Sequence, residues 1–166
     1  MPSTWISHAA LALIFLSCSS FATAWAEDLP ATGAVQVNDT LTVTRPDQLQ
    51  WMDYPGLPGV KFVVISGDPK GPGLYTIRAK FAPGTMSRPH WHPETRFVTV
   101  LKGTWWAGTG ETFDPEATIP VPTGGFAVHT AGKVHYDGAK GEEAIVQITG
   151  MGPSATNVVT PDEPAK

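Results

Sequence analysis

Gly84-Thr-Met-Ser-Arg88-Pro-His90-Trp-His92-Pro-Glu94-Thr-Arg96-Phe-Val-Thr-Val-Leu-Lys-Gly103 carries the pattern on which the reading of the fold turns. On an extended segment residues two apart project from the same face, so His90 and His92 present their imidazoles side by side to one ion. By itself a His-x-His pair is also what surface or packed histidines look like. Its surroundings add the information, because strand patterns flank it on both sides. Before it, Leu74 to Ala82 alternates Tyr75, Ile77, Ala79 and Phe81 with Thr76, Arg78 and Lys80, the period of a strand with one dry and one wet face. Earlier still, Val60 to Ser66 is a β-branched run closed by the turn Gly67-Asp-Pro-Lys-Gly-Pro-Gly73. After it, a long strand is expected from Phe97 to Trp106, then a turn at Gly108-Thr-Gly110. Gly125–Thr130 and Ala144–Thr149 complete the strand candidates, and Asp114-Pro-Glu-Ala suits a single helical turn capped by Asp114.

Two blocks now stand out: Gly84-x5-His90-x-His92-x3-Arg96-x6-Gly103, and Gly124-x5-Thr130-x-Gly132-x2-His135. They resemble the paired motifs of the cupin superfamily over roughly Val60 to Gly150. The resemblance implies an all-β fold, a single jelly-roll barrel (a double-stranded β-helix), with His90, His92 and His135 converging on one metal ion inside it. Three positions depart from the family pattern. Arg96 stands where the family usually has a metal-binding Glu, Thr130 where it has Pro, and Ala139 where it often has Asn. A guanidinium stays protonated and cannot ligate, so the usual three-His-one-Glu set is unavailable as such. Three neutral imidazoles suit a divalent first-row ion, Fe, Mn, Zn, Ni or Cu, and leave positions open for water or substrate.

Glu94 shares the parity of His92 if the chain stays extended, which makes it a candidate fourth ligand; Pro93 favours a local turn, and the competing role is an ion pair with Arg96 or Arg88. Arg96 has two readings as well. It is either a structural partner of Glu94 or Asp137, or an anchor that draws an anionic substrate group toward the metal. His129, Tyr136 and Gln147 are further candidates for substrate contact, and a general base would come from Glu94, His129 or Tyr136. Trp91, Trp105 and Trp106 read as barrel packing.

Composition bounds the rest. The chain has 166 residues, 42% hydrophobic and 16% charged, with 17 Gly and 16 Pro, a mixture that fits one domain of short strands and tight turns. A formal charge of -4 with no basic run argues against a nucleic-acid or anionic-membrane surface. Met1 to Ala26 has no Asp, Glu, Lys or Arg and an apolar centre too short to span a bilayer, ending in Ala24-Trp-Ala26. A signal peptide over residues 1–26 and a periplasmic mature protein without a membrane span are expected. Leu16-Ser-Cys18 leaves a lipoprotein signal as the alternative; cleavage at Ala26 would remove Cys18, the only cysteine. Residues 27–59 read as an N-terminal arm and barrel cover, with edge strands at Ala34–Val37 and Leu41–Thr44 that invite a homodimer, 60–150 as the barrel, and 151–166 as an extended tail.

The function expected is a metal-binding cupin that acts on or binds a small, anionic molecule. The resemblance implies dioxygenase, isomerase or lyase chemistry if it is an enzyme. The alternative is a metal-free cupin that binds a small ligand without catalysis; a metal-homeostasis role would want a Met cluster or soft ligands, which the chain does not have.

Overall fold

The structure, a computed structural model, describes residues 34–160, and the expected signal peptide and the last six residues lie outside them. No helix among the described residues is long and apolar enough to cross a membrane. The chain is almost entirely antiparallel strand. In order these are β1 (Ala34–Asn38), β2 (Leu41–Thr44), β3 (Met52–Asp53), β4 (Val60–Ser66), β5 (Gly73–Phe81), β6 (His90–Trp91), β7 (Arg96–Lys102), β8 (Thr104–Thr109), β9 (Ile119–Pro122), β10 (Phe126–His129), β11 (His135–Gly138), β12 (Ala144–Gly152) and β13 (Asn157–Val158). Two 3-10 turns interrupt them, Pro46–Gln48 and Pro115–Ala117; in the second the Asp114 side chain accepts from the Glu116 amide, the cap expected there.

A six-stranded sheet in the order β10-β7-β12-β5-β4-β3 faces a five-stranded sheet in the order β13-β6-β11-β8-β9, and together they form a jelly-roll barrel. The hairpin β1–β2 pairs with itself, as its alternation predicts. The alternation of β5 is realised in full: Tyr75, Ile77, Ala79 and Phe81 are buried and the residues between them are not. Val60, Ala79, Phe81, Val98, Val100, Ala144 and Val146 of the larger sheet meet Trp105 and Ala139 of the smaller one in the main core. Burying such aliphatic and aromatic side chains contributes roughly 1.5–3 kcal/mol each and holds the two sheets face to face.

Two expectations need correction. The long strand from Phe97 to Trp106 is two strands in different sheets, β7 and β8. Between them Gly103 adopts φ +69°, and a Cβ there would collide with the Glu143 carbonyl, so only glycine makes the step. β-branched and aromatic residues on both sides of Gly103 make the stretch read as one strand, and a lone glycine does not announce a change of sheet. The supposed tail also continues the barrel. β12 runs on to Gly152, β13 pairs with β6 through Asn157↔Trp91 and Val158↔His90, and the Val159 amide donates to the Pro89 carbonyl at 2.9 Å. At the other end β3 pairs with β4, so the larger sheet begins ahead of Val60.

Candidate metal centre

β6 and β11 bring His90, His92 and His135 together. His90 lies directly opposite His135 in the β6–β11 ladder, and His92 follows two residues after His90. The ring centroids are 4.5 Å apart for His90–His135, 4.8 Å for His90–His92 and 5.2 Å for His92–His135. One potential ligand atom from each lies within 4.8 Å of the other two, and all three side chains are buried.

Backbone carbonyls set the tautomers. His90 Nδ1 donates to the Arg88 carbonyl at 2.7 Å, His92 Nδ1 to the Ala155 carbonyl at 2.7 Å, and His135 Nδ1 to the Lys133 carbonyl at 3.0 Å. Each Nε2 therefore carries the lone pair, the arrangement that metal-ligating histidines use. Burial disfavours the charged form of His92 and His135. It pushes His92 down to about 3, helped by the Arg96 charge beside it, and lowers His135 against the opposing pull of Asp137. The donor set thus fits a first-row divalent ion: three imidazoles, each held in one tautomer, with His135 Nε2 buried and without a hydrogen-bond partner among the described residues.

Arg96 begins β7 and is buried at the same site, with each of its three nitrogens engaged. Nε donates to Glu94 Oε1 at 2.8 Å, Nη1 donates to His92 Nε2 at 3.0 Å, and Nη2 donates to Ser154 Oγ. Of the two roles open to Arg96, the structure displays the pairing with Glu94. Glu94 Oε1 also accepts from the Tyr75 hydroxyl at 2.6 Å. Desolvation would raise the Glu94 carboxyl, but the donors Tyr75, Ser154 and Arg96 outweigh it and hold the group at about 2. Glu94 is outside both clusters of converging ligand atoms.

His129, at the end of β10, faces the cavity, and its ring lies tilted against that of His135 with centroids 3.6 Å apart. Burial pulls it down to about 4, opposed in part by Asp137. Tyr136 and Gln147 are corrections. Tyr136 alternates with the inward-facing His135 and Asp137, packs edge-on against Phe113, and donates to the Asp114 carbonyl at 2.9 Å. Gln147 alternates with the cavity-lining Val146 and Ile148, and its Oε1 accepts from Arg78 Nε at 3.1 Å on the outer side of the sheet. Neither lines the cavity.

Two site residues escaped the sequence reading. Asp137 was weighed only as an ion-pair partner for Arg96, yet it lies in the cavity wall with one oxygen 3.9 Å from His135 Nε2 and the other accepting from Trp105 Nε1 at 3.3 Å. The signal was available, since His135-x-Asp137 has the same spacing as His90-x-His92. Ser154 sits in a segment with no strand pattern, and nothing in the sequence marked it.

The cavity beside these groups measures about 230 Å³. One wall is aliphatic and aromatic, with Val60, Ile77, Phe81, Val98 and Val146; the other carries His90, His92, His129, Asp137, Arg96 and, at the mouth, Arg88. Arg88 lies 4.6 Å over the Phe113 ring and makes no ion pair among the described residues.

Comparison with known proteins agrees with this architecture. The profile of the ChrR cupin-like domain matches residues 39–155. No curated protein matches the chain. Among solved structures, the polyketide cyclase RemF from Streptomyces resistomycificus is similar at 14% identity and a TM-score of 0.61, over 74% of this chain and 88% of that one. The DMSP lyase DddQ from Ruegeria pomeroyi has 15% identity and a TM-score of 0.56, over 69% of this chain and 62% of its own. Rru_A2000 from Rhodospirillum rubrum, a cupin-2 domain, has 16% identity and a TM-score of 0.56, over 67% and 75%. At these identities the likeness concerns the fold.

Proposed function

Since the chain belongs to the family of ChrR cupin-like domains, we propose that it holds one divalent first-row metal ion, Fe, Mn, Zn, Ni or Cu, at the histidine cluster around His135. Beside the ion it would take a small molecule with an apolar body and an anionic end. The observation that carries the reading is the buried His135 Nε2, its Nδ1 held by a backbone carbonyl, in a cluster with two further imidazoles and without a hydrogen-bond partner among the described residues. Such an ion supplies a Lewis-acidic centre with positions open to a ligand. The aliphatic wall would hold the ligand body and exclude water. Its anionic end would be met by Arg88 at the mouth, because the Arg96 charge is already balanced by Glu94. Similar structures include a polyketide cyclase and a DMSP lyase, which supports small-molecule chemistry as the class. The exposed Val37 and Leu41 of the self-paired hairpin support a homodimer as part of the same reading. Export rests on the apolar N-terminal segment and is checked by N-terminal sequencing of the mature chain.

The test is a titration of the chelator-treated chain with Co(II), followed by visible absorption, then by addition of small carboxylates. Stoichiometric binding that His135→Ala abolishes, with carboxylates perturbing the spectrum less in Arg88→Ala, supports the proposal. Failure to bind Co(II) overturns it. The metal-free alternative keeps one specific support, the donation from Arg96 into His92 Nε2, which satisfies that lone pair without an ion. It would show as a chain purified without metal whose ligand binding survives His135→Ala.

A further inference from the structure

The three inward-facing histidines are not equivalent. His92 Nε2 already accepts a hydrogen bond from Arg96 Nη1, whereas His135 Nε2 has no partner. What His135 Nε2 faces is a carboxylate: Asp137 Oδ2 lies 3.9 Å away. His135 Nδ1 spends its proton on the Lys133 carbonyl, and Nε2 is left buried opposite Asp137 Oδ2 with no hydrogen-bond partner among the described residues. Two buried acceptors opposed in this way are unfavourable unless a cation satisfies both. His129 completes the surroundings. Its ring lies tilted against His135, and its ligand atom, that of His135 and that of Asp137 all lie within 4.8 Å of one another. The separation of His135 Nε2 and Asp137 Oδ2 is under the ~4.2 Å reached by two ligands that each sit ~2.1 Å from one ion.

We infer that the ion binds on the His129–His135–Asp137 side of the cluster, with Arg96 keeping His92 out of the coordination shell. The inference rests on the metal-binding reading above and deepens it by assigning the donors. His135 Nε2 offers a single lone pair, so this position and the one shared with His90 and His92 exclude each other. Two imidazoles and one carboxylate form the donor set associated with Fe(II), and its negative charge also suits Mn and Zn. In this arrangement the carboxylate that balances the ion comes from β11, while the position on β7 carries Arg96. Trp105 Nε1 on Asp137 Oδ1 holds that carboxylate in place and leaves Oδ2 for the ion.

The experiment is a Co(II) titration of the chelator-treated full chain and of four variants, His92→Ala, His129→Gln, Asp137→Asn and His135→Ala. Far-UV circular dichroism and a thermal melt of each chain before metal is added identify any variant that does not fold, and Asp137→Asn keeps the shape of the side chain it replaces. Expected are loss of binding in His135→Ala, an affinity lowered about 10–100-fold in His129→Gln and Asp137→Asn, and a smaller change in His92→Ala. A loss in His92→Ala that equals or exceeds that in His129→Gln or Asp137→Asn overturns the assignment while leaving metal binding intact. No Co(II) binding by the parent chain overturns the metal-binding reading itself, and the assignment with it. Spectra separate the cases further, since losing a carboxylate ligand in Asp137→Asn shifts the Co(II) bands and losing an unbound His92 does not.

Discussion

The Glu94 carboxylate accepts from both Tyr75 and Arg96 in a nearly dry setting, and the strength of the site's frame depends on that arrangement. Hydrogen bonds to a charged group contribute about 1.5–3 kcal/mol, so Tyr75→Phe is expected to lower the unfolding free energy in urea by about that much. An unchanged midpoint would mean that the hydroxyl bond is not formed in solution. Arg96→Ala should cost more, about 3–5 kcal/mol, because it strands a buried carboxylate without its cation. The same titration checks it, and pairing it with Glu94→Gln should recover part of the loss. A cost below about 1 kcal/mol, the level of an exposed pair, would contradict the buried ion pair. At this scale the sequence was informative where period alone decides. His90, His92 and His135 were legible from spacing and resemblance, while Gln147 and Tyr136 were misplaced because the strand register that turns them outward depends on partners far along the chain. Glu94 took the second of its two expected roles, the ion pair with Arg96, because the donors that hold it, on β5 and β7, outweigh the parity that suggested a ligand.

Elements decide where these side chains point. β7 and β8 read as one strand because every residue from Phe97 to Trp106 except Gly103 tolerates extended backbone; the switch between sheets is fixed by a positive φ that only a partner strand reveals. Gly103→Ala should destabilise the chain by about 1–3 kcal/mol, measured by thermal or urea unfolding, and a neutral effect would show that the step between sheets is relaxed in solution. The C-terminal segment teaches a related lesson. Asn157–Val158 is too short to announce itself as a strand, yet it covers β6, and the preceding Ser154 and Ala155 reach Arg96 and His92. Removal of residues 153–166 should therefore speed amide exchange at His90 and Trp91 while β5 and β12 keep their protection, as followed by hydrogen–deuterium exchange. Equal protection of His90 and Trp91 in the full and shortened chains would contradict the pairing.

Across the whole molecule, two sheets of alternating apolar residues close around a cavity whose polar wall carries His90, His92, His129, Asp137 and Arg96, with His135 packed against it. The fold class was legible because β-strand alternation, glycine spacing and the paired histidine blocks all pointed the same way. That the Arg96 guanidinium cannot ligate was legible too, but its placement was not: it takes the three-dimensional structure to see that the guanidinium engages His92 Nε2 while Asp137 faces His135 from the same strand, two residues on. The most direct test of the account is elemental analysis of the chain purified without chelator, beside His135→Ala. Near-stoichiometric first-row metal in the parent, lost in a folded His135→Ala variant, is the predicted result; a parent chain without metal, or metal retained by the variant, would contradict it.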